Sequence, residues 1–157
     1  MRGSLPMKKI IASIFLTIAF CSASVFAQSK TVVNDAKAKK MLLGKHPLSL
    51  QWISWDYFGT ATVTDKKGVL YLTGEQKERG GSDYLRLDGT ITEINARDFK
   101  FDGVIEMQIS HNNGGAPCKR EGEMTFAITQ NRKYWRLQEM HNPCDGVTDY
   151  VDVYFRR

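Results

Sequence analysis

Along most of this chain, apolar residues recur at every second position. The clearest run is Phe99, Phe101, Gly103, Ile105, Met107 and Ile109, set against Asp98, Lys100, Asp102, Val104, Glu106 and Gln108. A period of two places each set on one face of an extended chain, so the run predicts a half-buried β-strand. The same alternation appears in Leu48, Leu50 and Trp52, in Thr60, Thr62 and Thr64 around Ala61 and Val63, and across 69–75. It returns from Leu85 through Ile91 towards Ile94, in Met124, Phe126 and Ile128, in Trp135 and Leu137, and in Val151, Val153 and Phe155. Residues 65–68, 95–98 and 130–132 read as tight turns, and 80–83, 110–119 and 142–146 as longer Gly/Asn-rich loops. Gly89, in mid-strand, predicts a bulge or bend.

Helical spacing occurs once, over 30–44, where Val33, Ala36, Ala38, Met41, Leu42 and Leu43 are loosely placed for one face. Asn34 or Asp35 could cap it, Gly44 would stop it, and Pro47 would prevent its continuation. The expected fold is all-β: about eight antiparallel strands in a meander, forming a small closed or partly open barrel behind a short N-terminal helix. In strand count and in the preceding helix this architecture resembles the calycins, the lipocalin-type barrels. The lipocalin Gly-x-Trp signature is absent, since Leu50 and Gln51 precede Trp52, and the likeness carries no residues across. At eight strands a barrel leaves room for packed side chains or one small ligand.

The N-terminus reads as a targeting segment. From Met7, Lys8 and Lys9 precede an apolar run over 10–20, followed by small residues up to Ala27. This is the pattern of a secretory signal peptide cleaved near Ala27, and the run is too short for a bilayer span of about 20 residues. Met1 to Pro6 forms an upstream extension. Cys21 would be the acylated residue of a lipoprotein signal, but Phe20 stands where that signal wants a small residue. The expected division is signal segment 1–27, helix or arm 28–46, and a single barrel domain 47–157, periplasmic or secreted.

Composition narrows the function class. Hydrophobic residues at 42% and charged residues at 25% exclude a disordered chain and a polytopic membrane protein. The 22 basic residues include Arg2, Lys8 and Lys9 of the signal; without them 19 face 17 acids, a net charge of +2. No basic stripe interleaved with aromatics remains, so nucleic acid is not an expected partner.

Export leaves Cys118 and Cys144, an even pair that predicts a disulfide in an oxidising compartment. The competing reading, a metal held by His111, Cys118, His141 and Cys144, has no tight ligand spacing. No metal, cofactor or catalytic residue is therefore expected. Gly-x-Ser-x-Gly, a phosphate loop and His-Glu-x-x-His are all missing.

The aromatic cluster Trp52, Trp55, Tyr57 and Phe58, with Tyr134 and Trp135 later, could face a lumen or fill a core. The residues expected to contact a ligand are Trp52, Trp55, Tyr71, Trp135 and Glu139. Glu139 alternates with Arg136 and Gln138 so as to point inward beside Trp135, where a charge would need a partner. The function expected is an exported binding module for a small apolar ligand or an envelope component. One alternative is a protein-interaction or inhibitor domain using the 111–118 loop. A less favoured one is a small hydrolase pairing Glu139 with Glu106 or Glu123.

Overall fold

The computed structural model describes Gly3 and residues 28–156. The expected signal segment, Gly3 apart, lies outside the described residues. The chain forms β1 (Val32–Val33), α1 (Ala36–Leu42), β2 (Gly44–Leu50), β3 (Gly59–Lys66), β4 (Val69–Lys77), β5 (Tyr84–Ile94), β6 (Asp98–Gln108), β7 (Cys118–Ala127), β8 (Tyr134–Leu137) and β9 (Val151–Tyr154). From β2 onward each strand pairs antiparallel with the next, and β9 returns to β2. The result is a closed, eight-stranded, up-and-down barrel. β1 is an added strand, parallel to the end of β5, with Val32 opposite Glu93.

The alternation explains the core. Leu48, Leu50, Ala61, Val63, Leu70, Leu72, Leu85, Leu87, Ile91, Ile105, Val151 and Val153 are all buried and belong to one cluster. The aromatic side chains fill its centre: Phe99 stacks on Phe126 at 5.1 Å, Phe101 meets Phe126 edge-on at 6.1 Å, and Trp135 packs against Phe99 at 6.0 Å. The lumen is thus occupied by the protein's own side chains.

The helix is shorter than the spacing suggested. Asp35 caps it, its carboxylate accepting the Ala38 N–H at 2.6 Å, and Leu43 is already extended. Ala38 and Leu42 are buried, so α1 covers the end of the barrel that carries the β3–β4 and β5–β6 turns. Thr31 fastens the arm before it, donating to the Ile91 carbonyl at 2.6 Å and accepting the Leu70 N–H at 2.9 Å.

Three expectations shift in the structure. Strand β2 already begins at Gly44 and runs through Pro47, which the sequence marked only as a helix breaker. Trp52 leaves the strand, because the Ile53 and Ser54 N–H groups both turn back onto the Leu50 carbonyl. Gly89 pairs in regular register with Gly103, and the irregularity falls between Ile91 and Glu93 instead.

Candidate functional site

The end of the barrel away from α1 is sealed by a polar network. On β7, Arg120 follows Cys118 by two residues and turns inward. Its Nη2 donates to Asp149 Oδ2 at 2.6 Å, and both residues are buried. Asp149 also accepts from Asn142 Nδ2 at 2.8 Å and from Trp52 Nε1 at 2.9 Å. Cys118 and Cys144 are joined in a disulfide with Cα atoms 6.1 Å apart, tying β7 to the 138–150 loop that carries Asn142 and Asp149. In a chain-entropy account, a loop of this length stabilises by roughly 3–4 kcal/mol.

The 109–117 loop is pinned to the same network. Ser110 donates through N–H and hydroxyl to buried Asp83, the Asn113 N–H donates to Asp145, and the His111 ring meets Trp52 edge-on at 5.9 Å. Because both cysteines are bridged, neither supplies the thiolate that the metal alternative required. Among the described residues no group of three or more His, Cys, Asp or Glu could hold a metal ion.

A concavity lies on the outside, at the seam that closes the barrel. Only Leu50–Val151, Ser49–Asp152 and Leu48–Val153 pair between β2 and β9. The ladder ends beside Pro47, which has no N–H to offer it. Beyond that point the strands part, and the buried His46 ring fills the split, its nitrogens 2.9 Å from the Tyr154 carbonyl and 2.7 Å from the Leu42 carbonyl. Above the split is a hollow of about 650 Å3 lined by Pro47, Phe58, Lys133, Tyr154, Phe155 and Arg156. Its size is within the range of small-molecule sites, about 300–1,000 Å3.

Phe58 is 42% exposed and forms a wall of this hollow. It is held edge-on to Tyr154 at 5.1 Å, and Tyr154 is held in turn by Tyr134 at 5.1 Å. The loop bearing Phe58 is fixed by buried Gln76, whose amide accepts the Leu50 N–H at 2.7 Å and donates to the Tyr57 carbonyl at 3.1 Å. The next residue must be glycine: a Cβ on Gly59 would lie 2.5 Å from Gln76 Cα, inside contact distance.

Under the adjoining wall, Arg136 clamps Asp152 with two 2.7 Å hydrogen bonds and stacks on Tyr150 at 4.1 Å. Burial pushes the Asp152 carboxyl above its ordinary value while Arg136 pulls it back. Burial likewise raises the Tyr154 phenol.

The residues singled out in the sequence occupy separate surroundings. Trp135 is core, packed against Phe155 at 4.6 Å, and Trp52 is part of the polar seal. Trp55 is 52% exposed. Tyr71 is on the outer face of β4, donating to Gln28 at 2.8 Å with Lys66 over its ring. Glu139 does not point inward beside Trp135: strand β8 ends at Leu137, and the exposed Glu139 carboxylate accepts the Thr125 N–H at 2.9 Å.

Of its proposed acid partners, Glu123 lies with Glu139 in a shallow hollow of about 350 Å3 beside Lys119, Glu121 and His141. Glu106 is elsewhere, bound to the Tyr84 hydroxyl at 2.7 Å and Lys119 at 3.1 Å, which hold its carboxyl below the usual range. No local pattern in the sequence marks Pro47, Lys133, Tyr154, Phe155 and Arg156 as one site, because they are brought together from distant parts of the chain. Phe58 belongs to the aromatic cluster that the sequence shows with Trp52, Trp55 and Tyr57.

Fold and site define a small up-and-down β-barrel with a filled lumen, a disulfide-tied mouth and an apolar groove on its outer seam. The chain belongs to the PM1083 family, whose pattern matches residues 30–155. It is 39% identical over 149 residues to the uncharacterized protein PM1083 of Pasteurella multocida (strain Pm70), covering 95% of this chain and 96% of that protein. No solved structure matches it. Among the described residues, no helix is long and apolar enough to cross a membrane.

Proposed function

We propose that this chain is an exported binding module, periplasmic or secreted, that takes an apolar ligand in the groove between Phe58, Tyr154 and Phe155. The observation that carries this reading is the contrast between the two concave parts of the barrel. The lumen is filled by its own aromatic side chains, whereas the seam leaves a hollow of about 650 Å3 with aromatic walls. Export is supported by the Cys118–Cys144 bridge, a bond that persists in oxidising compartments, and by the signal-like pattern ending at Ala27.

The test is a titration with N-phenyl-1-naphthylamine, a neutral apolar fluorophore. Phe58→Ala removes a wall of the groove without touching the lumen. Burying a phenylalanine against a ligand contributes about 1.5–3 kcal/mol, so the variant should bind the probe about tenfold to a hundredfold more weakly. Unchanged probe binding in a folded Phe58→Ala protein removes the reading.

A second reading, a protein-interaction domain, is favoured by the pinning of the 109–117 loop through the disulfide, Asp83 and Asp145. A loop ordered in advance loses less entropy when it binds. Replacing residues 112–116 with a Gly-Ser segment should abolish capture of a partner from an envelope extract, and undiminished capture rejects it.

A further inference from the structure

The groove has a charged rim that an apolar ligand alone does not explain. Lys133 and Arg156 line the main hollow. A second hollow of about 490 Å3 shares Pro47 and Phe58 with it and is lined by Lys45, His46, Asp56, Tyr57, Gly59, Thr60 and Arg79. Four cations thus line these two adjoining hollows against a single acid, Asp56. Among the described residues none of the four makes an ion pair, whereas Lys77, Arg86 and Lys119 on the outer face of β4–β7 are paired with Glu75 or Glu106.

Two of the cations are also held in place. Arg156 donates to the Lys40 carbonyl at 3.1 Å, and the Arg79 guanidinium stacks on the Tyr57 ring at 4.2 Å while the Arg79 backbone N–H donates to the Tyr57 hydroxyl. A guanidinium fixed in this way presents its remaining donors as a fork suited to a carboxylate.

Building on the binding reading above, we infer that the occupant is a single-chain amphiphile ending in a carboxylate. Its chain lies against Phe58, Tyr154 and Phe155, and its charged end meets the cations of the rim. A single chain matches one hollow of about 650 Å3, and the sign of the headgroup follows from four cations against one acid. Arg156 and Lys133 act on specificity, since a neutral chain of the same length would make the apolar contacts equally well. Opposite charge on the rim also makes binding sensitive to salt.

The experiment uses the mature chain with N-phenyl-1-naphthylamine bound, displaced by dodecanoate, 1-dodecanol or dodecyltrimethylammonium below their micelle concentrations. Dodecanoate is expected to displace the probe at about tenfold lower concentration than dodecanol, and the trimethylammonium compound at higher concentration than either. In the Lys133→Gln/Arg156→Gln double variant, altered at two exposed side chains, dodecanoate should displace the probe no better than dodecanol does.

Equal displacement by dodecanoate and dodecanol overturns the inference and leaves the apolar groove standing. A preference for dodecanoate that survives in the double variant also overturns it. If the probe does not bind and none of the three amphiphiles binds directly by calorimetry, the groove reading falls and the inference falls with it.

Discussion

Asp149→Ala is expected to lower the unfolding free energy by about 3–5 kcal/mol, the usual cost of removing one partner from a buried ion pair. Asp149 is 0% exposed and accepts from three side chains at once: Arg120, Asn142 and Trp52. The alanine variant leaves the guanidinium of Arg120 in the interior without its anion, and that uncompensated charge supplies most of the loss. Denaturant unfolding of the oxidised protein, with the disulfide intact in both chains, measures it.

The paired replacement Arg120→Met/Asp149→Leu separates charge from packing. It removes both ions together, so it should cost clearly less than Asp149→Ala alone. A residual loss remains because the Trp52 N–H and the Asn142 amide still lose an acceptor. If the double variant is as unstable as the single one, the pair is not what holds this end of the barrel. A loss on this scale is a large fraction of the 5–15 kcal/mol that holds a typical domain together.

Phe101→Ala should cost about 3–5 kcal/mol, because it empties the centre of the filled lumen. The ring lies over two inward-facing glycines, Gly89 on β5 and Gly103 on β6, which pair directly across the ladder. A Cβ on Gly103 would stand 2.7 Å from the Phe101 ring and 2.6 Å from Gly89 Cα, and closer still to the Asp88 carbonyl oxygen. Gly103→Ala is therefore expected to destabilise by about 1–3 kcal/mol through overpacking. Trimming the ring does not rescue it: Phe101→Ala/Gly103→Ala stays at least as unstable as Phe101→Ala, since the backbone obstruction remains. A double variant more stable than Phe101→Ala would show that the ring alone forbids a side chain at 103.

These glycines show how far the alternation could be read. Gly103 sits in register with Phe101 and Ile105, so its inward direction was legible from spacing alone. What it makes room for was not, because the carbonyl of Asp88 and the ring of Phe101 meet it only when β5 and β6 pair. Gly89 predicted a local irregularity, yet it allows close approach in regular register while the shift falls two residues later.

The site divides in the same way. Trp52 and Trp135 look alike in the sequence, as strand aromatics. The early end of β2 at Leu50 places Trp52 in a polar seal, whereas Trp135 remains in the core. Glu139 followed the alternation of β8 on paper, but that strand stops at Leu137, so the alternation no longer governs where its side chain points.

By itself the sequence determined the local quantities: strands with a period of two, their order as consecutive hairpins, the inward set of each strand and a cysteine pair. The strand quantities depend on neighbours within about ten residues, where spacing and turn chemistry decide the outcome, and the cysteine pair follows from an even count in a chain read as exported. Tertiary structure alone decided where the barrel closes, what fills it and where a hollow remains. The seam joins β2 to β9 from opposite ends of the domain, and Pro47 ends that ladder only in the presence of a strand that arrives about a hundred residues later. Arg120 and Asp149 could be buried only because closure brings them within hydrogen-bonding distance, and no local pattern of charges encodes such a distance.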